Sequence, residues 1–281
     1  MKEIHVQEIA AAVEKLCMDA CYYLPEDVRR ALEQAREEER SPLCREIIGD
    51  ILLNADIAQK DAVPICQDTG LAVFFLEVGQ DVHIVGGGLE DAINLGVHNG
   101  YINGYLRKSA LSDPLIIRKN TGDNTPAIIN TRIVPGDSLV ITLAPKGGGS
   151  ENMSALGMLK PAQGRAGVKQ FILDAVNRAG SNPCPPIIVG VGIGGTIEKT
   201  TWLAKHSLLR TVGEHHPNPE IAKFEEELLT EINCLGIGAQ GFGGTITALA
   251  VHVETFPAHL ASLPVAVNLQ CHAARHKSVI F

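Results

Sequence analysis

The stretch N-P-C-P-P-I-I-V-G-V-G-I-G-G-T, residues 182–196, decides how the rest of the chain is read. An apolar run, Ile187–Val191, leads into glycines at 190, 192 and 195, and Gly195–Leu209 carries helical spacing. Strand, G-x-G-x-x-G and helix in that order would open a dinucleotide-binding βαβ unit. Here the helix is followed by T-V-G-E-H-H-P-N-P, not by a second strand ending in an acid. A nicotinamide-dependent enzyme is set aside on that ground. Two readings of the glycines stand. They form a turn whose N–H groups face a sulfide or a carboxylate at a helix start, or they form a plain tight strand–helix turn. Just upstream, Cys184 sits among Pro183, Pro185 and Pro186. Those prolines withhold backbone donors and stiffen the loop, which suits a thiol held at a fixed angle.

Two more cysteines share this kind of context. Cys66 lies in P-I-C-Q-D-T-G, where Pro64 fixes the approach and Thr69-Gly70 allows a tight turn. Cys271 lies in L-Q-C-H-A-A-R-H, with His272, Arg275 and His276 close behind. A structural cysteine belongs inside an apolar run, and none of these three is in one. Thiolates are soft ligands and hold iron–sulfur clusters. Three ligands on a four-iron cube leave one iron open, and an open iron acts as a Lewis acid. That directs attention to hydro-lyase chemistry rather than electron transfer. A zinc-holding structural subunit is the rival, but the paired C-x₂-C spacing of such sites is missing. Metal analysis separates the two. Cys17, Cys21, Cys44 and Cys234 lie on or beside predicted helices and are read as plain thiols.

Other polar residues cluster in turn-rich segments. Asp68, two residues after Cys66, is either a proton-transfer group or a turn aspartate. His259 opens the segment H-L-A-S-L-P-V-A that leads to Cys271, and histidine suits proton transfer near neutral pH. The run K-G-G-G-S-E-N-M at 146–153 is either an anion cradle or a flexible loop. It lacks the G-K-[ST] order of a nucleotide P-loop. Arg107 and the run R-K-N-T-G-D-N-T-P at 118–126 offer cations for a dicarboxylate.

Around these motifs the chain reads as an α/β protein, mixed α+β. Helical spacing covers the N-terminal region, with apolar Ile9, Val13, Leu16 and Cys17 on one face. Further helices start at Pro25 and after Pro42. From residue 71 strands alternate with helices. Leu71–Val78 and Val82–Val85 read as strands, and Leu89–Leu106 as a helix. Ala127–Val134 and Ser138–Leu143 read as a strand pair turned by the P-G-D at 135–137. Gly167–Arg178 and Pro219–Cys234 read as helices, and Thr245–Val253 is β-prone after G-I-G-A-Q-G-F-G-G. No repeat or linker divides the chain. It is expected to form one domain, 1–281, with a helical subregion at 1–62 and an α/β region of mixed sheets, 63–281, enclosing the cluster.

Composition narrows the partners. Of 281 residues, 45% are hydrophobic, enough for a sizeable core, and the formal net charge is −8. No Lys/Arg-rich run is present, so nucleic acid is excluded as a partner. No apolar stretch approaches a membrane span, and no secretory signal opens the chain. The seven cysteines are odd in number and scattered, which argues for thiols or ligands rather than a disulfide framework. A cytoplasmic location is expected.

Taken together, I-C-Q-D-T-G, G-D-N-T-P-A, K-G-G-G-S-E-N, N-P-C-P-P with G-I-G-G-T, G-A-Q-G-F-G-G and H-L-A-S-L-P-V-A resemble the α-subunit of the class I, iron–sulfur-dependent fumarase and L-tartrate dehydratase family. The resemblance covers residues 40–276. It implies a [4Fe–4S] cluster on Cys66, Cys184 and Cys271. It implies substrate contacts from Gln67, Asp68, Arg107 and Gly149, and an acid–base pairing of Asp68 with His259. It also implies a separate β-subunit that completes the active site and supplies the carbon base, and a homodimer of αβ units. The expected substrate is a small dicarboxylate: fumarate and L-malate first, L-tartrate second. A non-catalytic metal-holding subunit is the more remote alternative.

Overall fold

The computed structural model describes residues 2–281. In chain order the elements begin with β1 (Lys2–His5), α1 (Val6–Tyr22), α2 (Glu26–Glu38), α3 (Pro42–Asp61), β2 (Leu71–Gly79), β3 (Val82–Val85) and α4 (Leu89–Asn103). They continue with β4 (Ile128–Val134), β5 (Leu139–Lys146), the single turn α5 (Gly148–Glu151), β6 (Ala155–Leu159) and α6 (Gly164–Ala179). The chain ends with β7 (Ile187–Gly194), α7 (Ile197–Ser207), α8 (Pro219–Asn233), β8 (Ala248–Phe256), β9 (Leu263–Gln270) and β10 (Lys277–Ile280). This is the expected α/β class with an N-terminal helical region. Local chemistry sets several boundaries. Pro25 precedes α2, and Glu26 and Asp27 in its first turn complement the helix dipole. The Asn218 side chain accepts the Glu220 N–H, and Pro219 occupies the first turn of α8.

The chain divides into two compact units. The first comprises the residues up to Leu24, Asn54–Gly148 and Arg275–Phe281. Its main sheet has the order β10-β5-β2-β4. Here β2 is the interior strand, antiparallel to β5 and parallel to β4. The two strands flanking the P-G-D turn are therefore not a hairpin, because β2 lies between them. The reason is burial. Ala72–Leu76 is an unbroken buried run, whereas β4 is half-exposed or exposed along its length, and a strand buried on both faces takes the centre of a sheet. A small parallel pair joins β1 to β3 with Ile4 opposite Ile84. Helix α4 packs closely on α1, since a Cβ at Gly96 would stand 2.6 Å from the Ala10 carbonyl oxygen. Phe74, Ile93, Tyr101 and Leu143 are buried in the core they cover.

The second unit comprises Pro25–Leu53 and Gly149–Ala274. Its sheet has the order β6-β9-β7-β8, with β9 antiparallel to both neighbours and β7 parallel to β8. A strand does follow β7 in parallel, but only after two helices, so the T-V-G-E-H-H-P-N-P segment joins α7 to α8. Of the three motif glycines, only Gly195 lies in the strand–helix turn. Gly190 and Gly192 lie inside β7, and Cβ atoms there would fall 2.2 Å from the Ala204 oxygen and 2.1 Å from the Thr200 oxygen of α7. They let a helix lie directly on a strand. Only Gly194 and Gly195, with φ of +92° and +74°, make the turn.

Candidate active site

The Cys66–Gly70 loop is built by β2 and its neighbours in the first unit. Gly70 has φ +76°, and a Cβ there would lie 2.6 Å from the Lys146 backbone, so only glycine admits the chain at the start of β2. The Gly70 carbonyl accepts from the Tyr101 hydroxyl at 2.9 Å and from Asn124 Nδ2 at 3.1 Å. Asn124 also accepts the N–H groups of Ser109 (2.7 Å) and Ala110 (3.0 Å). The asparagine of G-D-N-T-P thus ties the loop to the segment after Arg107. Thr69 makes a second tie, its hydroxyl donating to the Arg107 carbonyl at 3.1 Å. Arg107 itself is exposed. Asp123, which precedes Asn124 in G-D-N-T-P, is pushed up by burial. Hydrogen bonds from His98 and Thr125 outweigh that and hold it at about 2.

Asp68, the acid of the Cys66–Gly70 loop, is held at both carboxylate oxygens. One carboxylate oxygen accepts the Gly70 N–H at 3.0 Å, and the other accepts the Gly148 N–H at 2.8 Å. Arg275, buried, donates to the Asp68 carbonyl at 2.9 Å. Sequence reasoning noticed Arg275 only as a residue following Cys271. The Asp68 N–H donates to Cys66 Sγ at 3.4 Å, so thiol and carboxylate share one turn. Gln67 between them is exposed. Lys146 is buried at the end of β5, so the cation of K-G-G-G-S is not turned to solvent.

In the second unit Cys184 is exposed and has φ +56°. A non-glycine residue there costs about 1 kcal/mol or more and persists only where its surroundings dictate it. His272, the residue after Cys271, meets this loop twice. Its N–H donates to the Cys184 carbonyl at 3.3 Å, and its Nδ1 lies 3.0 Å from the same oxygen. Gln240 completes the contact. Its N–H and its Nε2 each donate to the Pro185 carbonyl at 2.8 Å, and Nε2 stands 3.1 Å from His272 Nδ1. With one amide hydrogen on Pro185, the other meets His272 as a hydrogen bond only where Nδ1 is bare, whereas the Cys184 carbonyl accepts only from a protonated Nδ1. Nδ1 thus stands between an acceptor on the Cys184 loop and a donor on Gln240, and its tautomer sets which of the two it engages. The structure therefore brings the Cys184 and Cys271 segments together. Gly149 is exposed, and a Cβ on it would stand 3.2 Å from the Asn182 carbonyl oxygen, two residues before Cys184. His259 lies in the exposed turn before β9. Its Nδ1 accepts the Ala261 N–H at 3.2 Å, which leaves Nε2 to face solvent.

The thiols fall into two populations. Cys17, Cys21 and Cys44 are buried, and burial pushes Cys17 well up and Cys21 up to about 11. Cys66 and Cys271 are half-buried, Cys184 and Cys234 are exposed, and none of the seven is in a disulfide. Each of Cys66, Cys184 and Cys271 stands in a loop at a strand end, among backbone N–H and carbonyl groups. A thiolate ligand needs such a polar, reachable setting, so this donor set fits an iron–sulfur group. Among the described residues no group of three or more His, Cys, Asp or Glu side chains is already gathered as a metal site.

Comparison with known proteins follows the same line. The fumarate hydratase family matches residues 10–280. A protein of Methanocaldococcus jannaschii named putative L(+)-tartrate dehydratase subunit alpha is 44% identical over 278 residues, covering 95% of both chains. The L(+)-tartrate dehydratase subunit alpha of Escherichia coli O157:H7 is 32% identical over 259 residues, covering 92% of this chain and 85% of its own. Fold and matches define an α-type subunit of a hydro-lyase. The chain belongs to the fumarate hydratase family, whose members are in general iron–sulfur dependent.

Proposed function

We propose that the whole chain, 1–281, acts as one catalytic domain that, with a separate β-subunit, reversibly hydrates fumarate to L-malate in the cytoplasm. The observation that carries this is the Cys66–Gly70 loop, where a thiol, an amide and a backbone-held carboxylate occur within three residues. A [4Fe–4S] cluster held by Cys66, Cys184 and Cys271 would supply a Lewis acid to polarise the C–O bond. The chain's own groups do the rest. Asp68, paired with His259, manages the proton on the departing water. Its two backbone hydrogen bonds fix the carboxylate's direction, and a fixed general acid–base group contributes about 10²–10⁴ in rate. Gln67, the Gly149 N–H and the Arg107 guanidinium bind carboxylate oxygens, and Arg pairs them bidentately. The β-subunit brings the carbon base and the cations for the distal carboxylate. The assembly is a homodimer of αβ units.

Dehydration of L-tartrate is the second reading, favoured by the relatives' names. The two substrates differ in one hydroxyl. Anaerobic reconstitution with iron, sulfide and the β-subunit, followed by assays on fumarate, L-malate and L-tartrate, decides between them. Turnover of none of the three, by a complex holding its full iron, would overturn both. No helix among the described residues is long and apolar enough to cross a membrane.

A further inference from the structure

We infer that Gln240 is a positioning residue that locks the Cys184 loop to the Cys271 loop, so that the two thiols are presented as a fixed pair. The inference deepens the proposed function and rests on the reading of those thiols as cluster ligands. Three observations carry it. First, Gln240 reaches the residue after each cysteine: Pro185 through both its backbone N–H and its side chain, and His272 through Nε2. Second, Gln240 and Cys184 are both non-glycine residues at positive φ, +53° and +56°. The sequence places glycines at 236, 238, 241, 243 and 244 around Gln240, yet spends a glutamine where glycine would sit without strain. A side chain kept at a strained position points to a job for that side chain. Third, the glycine run is anchored from behind. The fully buried Glu39 accepts the N–H groups of Thr245 and Ile246 and the Thr245 hydroxyl, all at 2.9–3.0 Å. Gln240 is therefore held by a fixed base rather than carried on a swinging loop.

Outer-shell partners of metal ligands typically alter metal affinity by about 10–100-fold when removed. Gln240→Met keeps the length and the backbone demand but removes the amide donor. Gln240→Gly removes the side chain and relieves the positive φ. Both are made in the full chain and studied in two ways. In the metal-free chain, iodoacetamide alkylation is followed peptide by peptide. The expected result is a severalfold rise at Cys184 and Cys271 with Cys66 and Cys234 unchanged. Unchanged rates at Cys184 and Cys271 would overturn the clamp. In the reconstituted chain, the visible absorbance of the cluster is followed during removal of iron by a chelator. Bleaching roughly tenfold faster than wild type is expected, and bleaching at the wild-type rate would refute the role toward the cluster. If Gln240→Met melts well below wild type, Gln240→Gly gives the decisive rates. Wild-type chain that takes up no iron would sink the ligand reading instead, and the alkylation rates would still decide the clamp.

Discussion

Glu39→Gln tests how much of the second unit depends on one buried carboxylate. Glu39 is 0% exposed. One of its oxygens accepts the Ser41 N–H, the Thr245 N–H and the Thr245 hydroxyl, each at 2.9 Å. The other accepts the Thr245 N–H at 3.0 Å and the Ile246 N–H at 2.9 Å. Glutamine must put an NH₂ where one of these oxygens stood. With the carbonyl left at the more heavily used position, the NH₂ faces the Ile246 N–H, donor against donor. That orphans a buried donor, at about 1–3 kcal/mol, and the remaining bonds lose their charge assistance. The expected loss is about 2–4 kcal/mol, or a fall in Tm of roughly 5–15 °C for a unit of this size. The variant also has a pH signature. Burial alone would raise the carboxyl, but the backbone bonds from Thr245, Ser41 and Ile246 outweigh it and hold it below 4.5. A carboxyl lowered by folding stabilises fully above its unfolded value and loses that contribution as pH falls through its folded value. Wild type should therefore exceed Glu39→Gln by a constant margin from pH 7 down to about pH 5, and the margin should shrink below that. Thermal melts across this range read it directly. A variant melting within 1–2 °C of wild type at pH 7, roughly the shift of under 1 kcal/mol, would refute the reasoning.

The other expectations are more compact. Asp68→Asn should lower turnover of the two-chain complex by about 10²–10⁴ while iron content stays at the wild-type level; intact turnover would remove Asp68 from the proton chemistry. Gly192→Ala should destabilise by at least ~1–3 kcal/mol in a denaturant melt, because its Cβ would sit 2.1 Å from a backbone oxygen that cannot yield without moving α7. In the native metal-free chain at pH 8, iodoacetamide should label Cys184 and Cys234 and spare Cys17, Cys21 and Cys44 until denaturant is added, because Cys21 stays protonated up to about 11; early labelling of Cys21 would contradict its burial. Aeration should abolish activity of the complex, and iron with reductant should restore it; full activity in iron-free, air-exposed protein would exclude the cluster.

What the sequence determined by itself is local in character. Helix α1 was legible because Ile9, Val13, Leu16 and Cys17 recur on one face, and α8 because Asn218 and Pro219 announce its start. The separation of loop thiols from core thiols was legible too, since Pro, Gly, Asp and Gln around a cysteine forbid an apolar setting. The tertiary structure alone decided what pairs with what. Nothing near β4 and β5 says that β2 will come between them, because strand order depends on burying Ala72–Leu76 on both faces. The strand β9 was hidden because it begins at Leu263-Pro264 and is buried almost throughout, so its side chains show no period of two. Gly190 and Gly192 read as a turn until α7 is laid against them, since a glycine needed for close approach is the same letter as a glycine needed for positive φ. Gln240 was one polar letter in a glycine run. Only the fold sets it between Pro185 and His272, because hydrogen bonds between residues 55 and 32 positions apart leave no trace in local spacing.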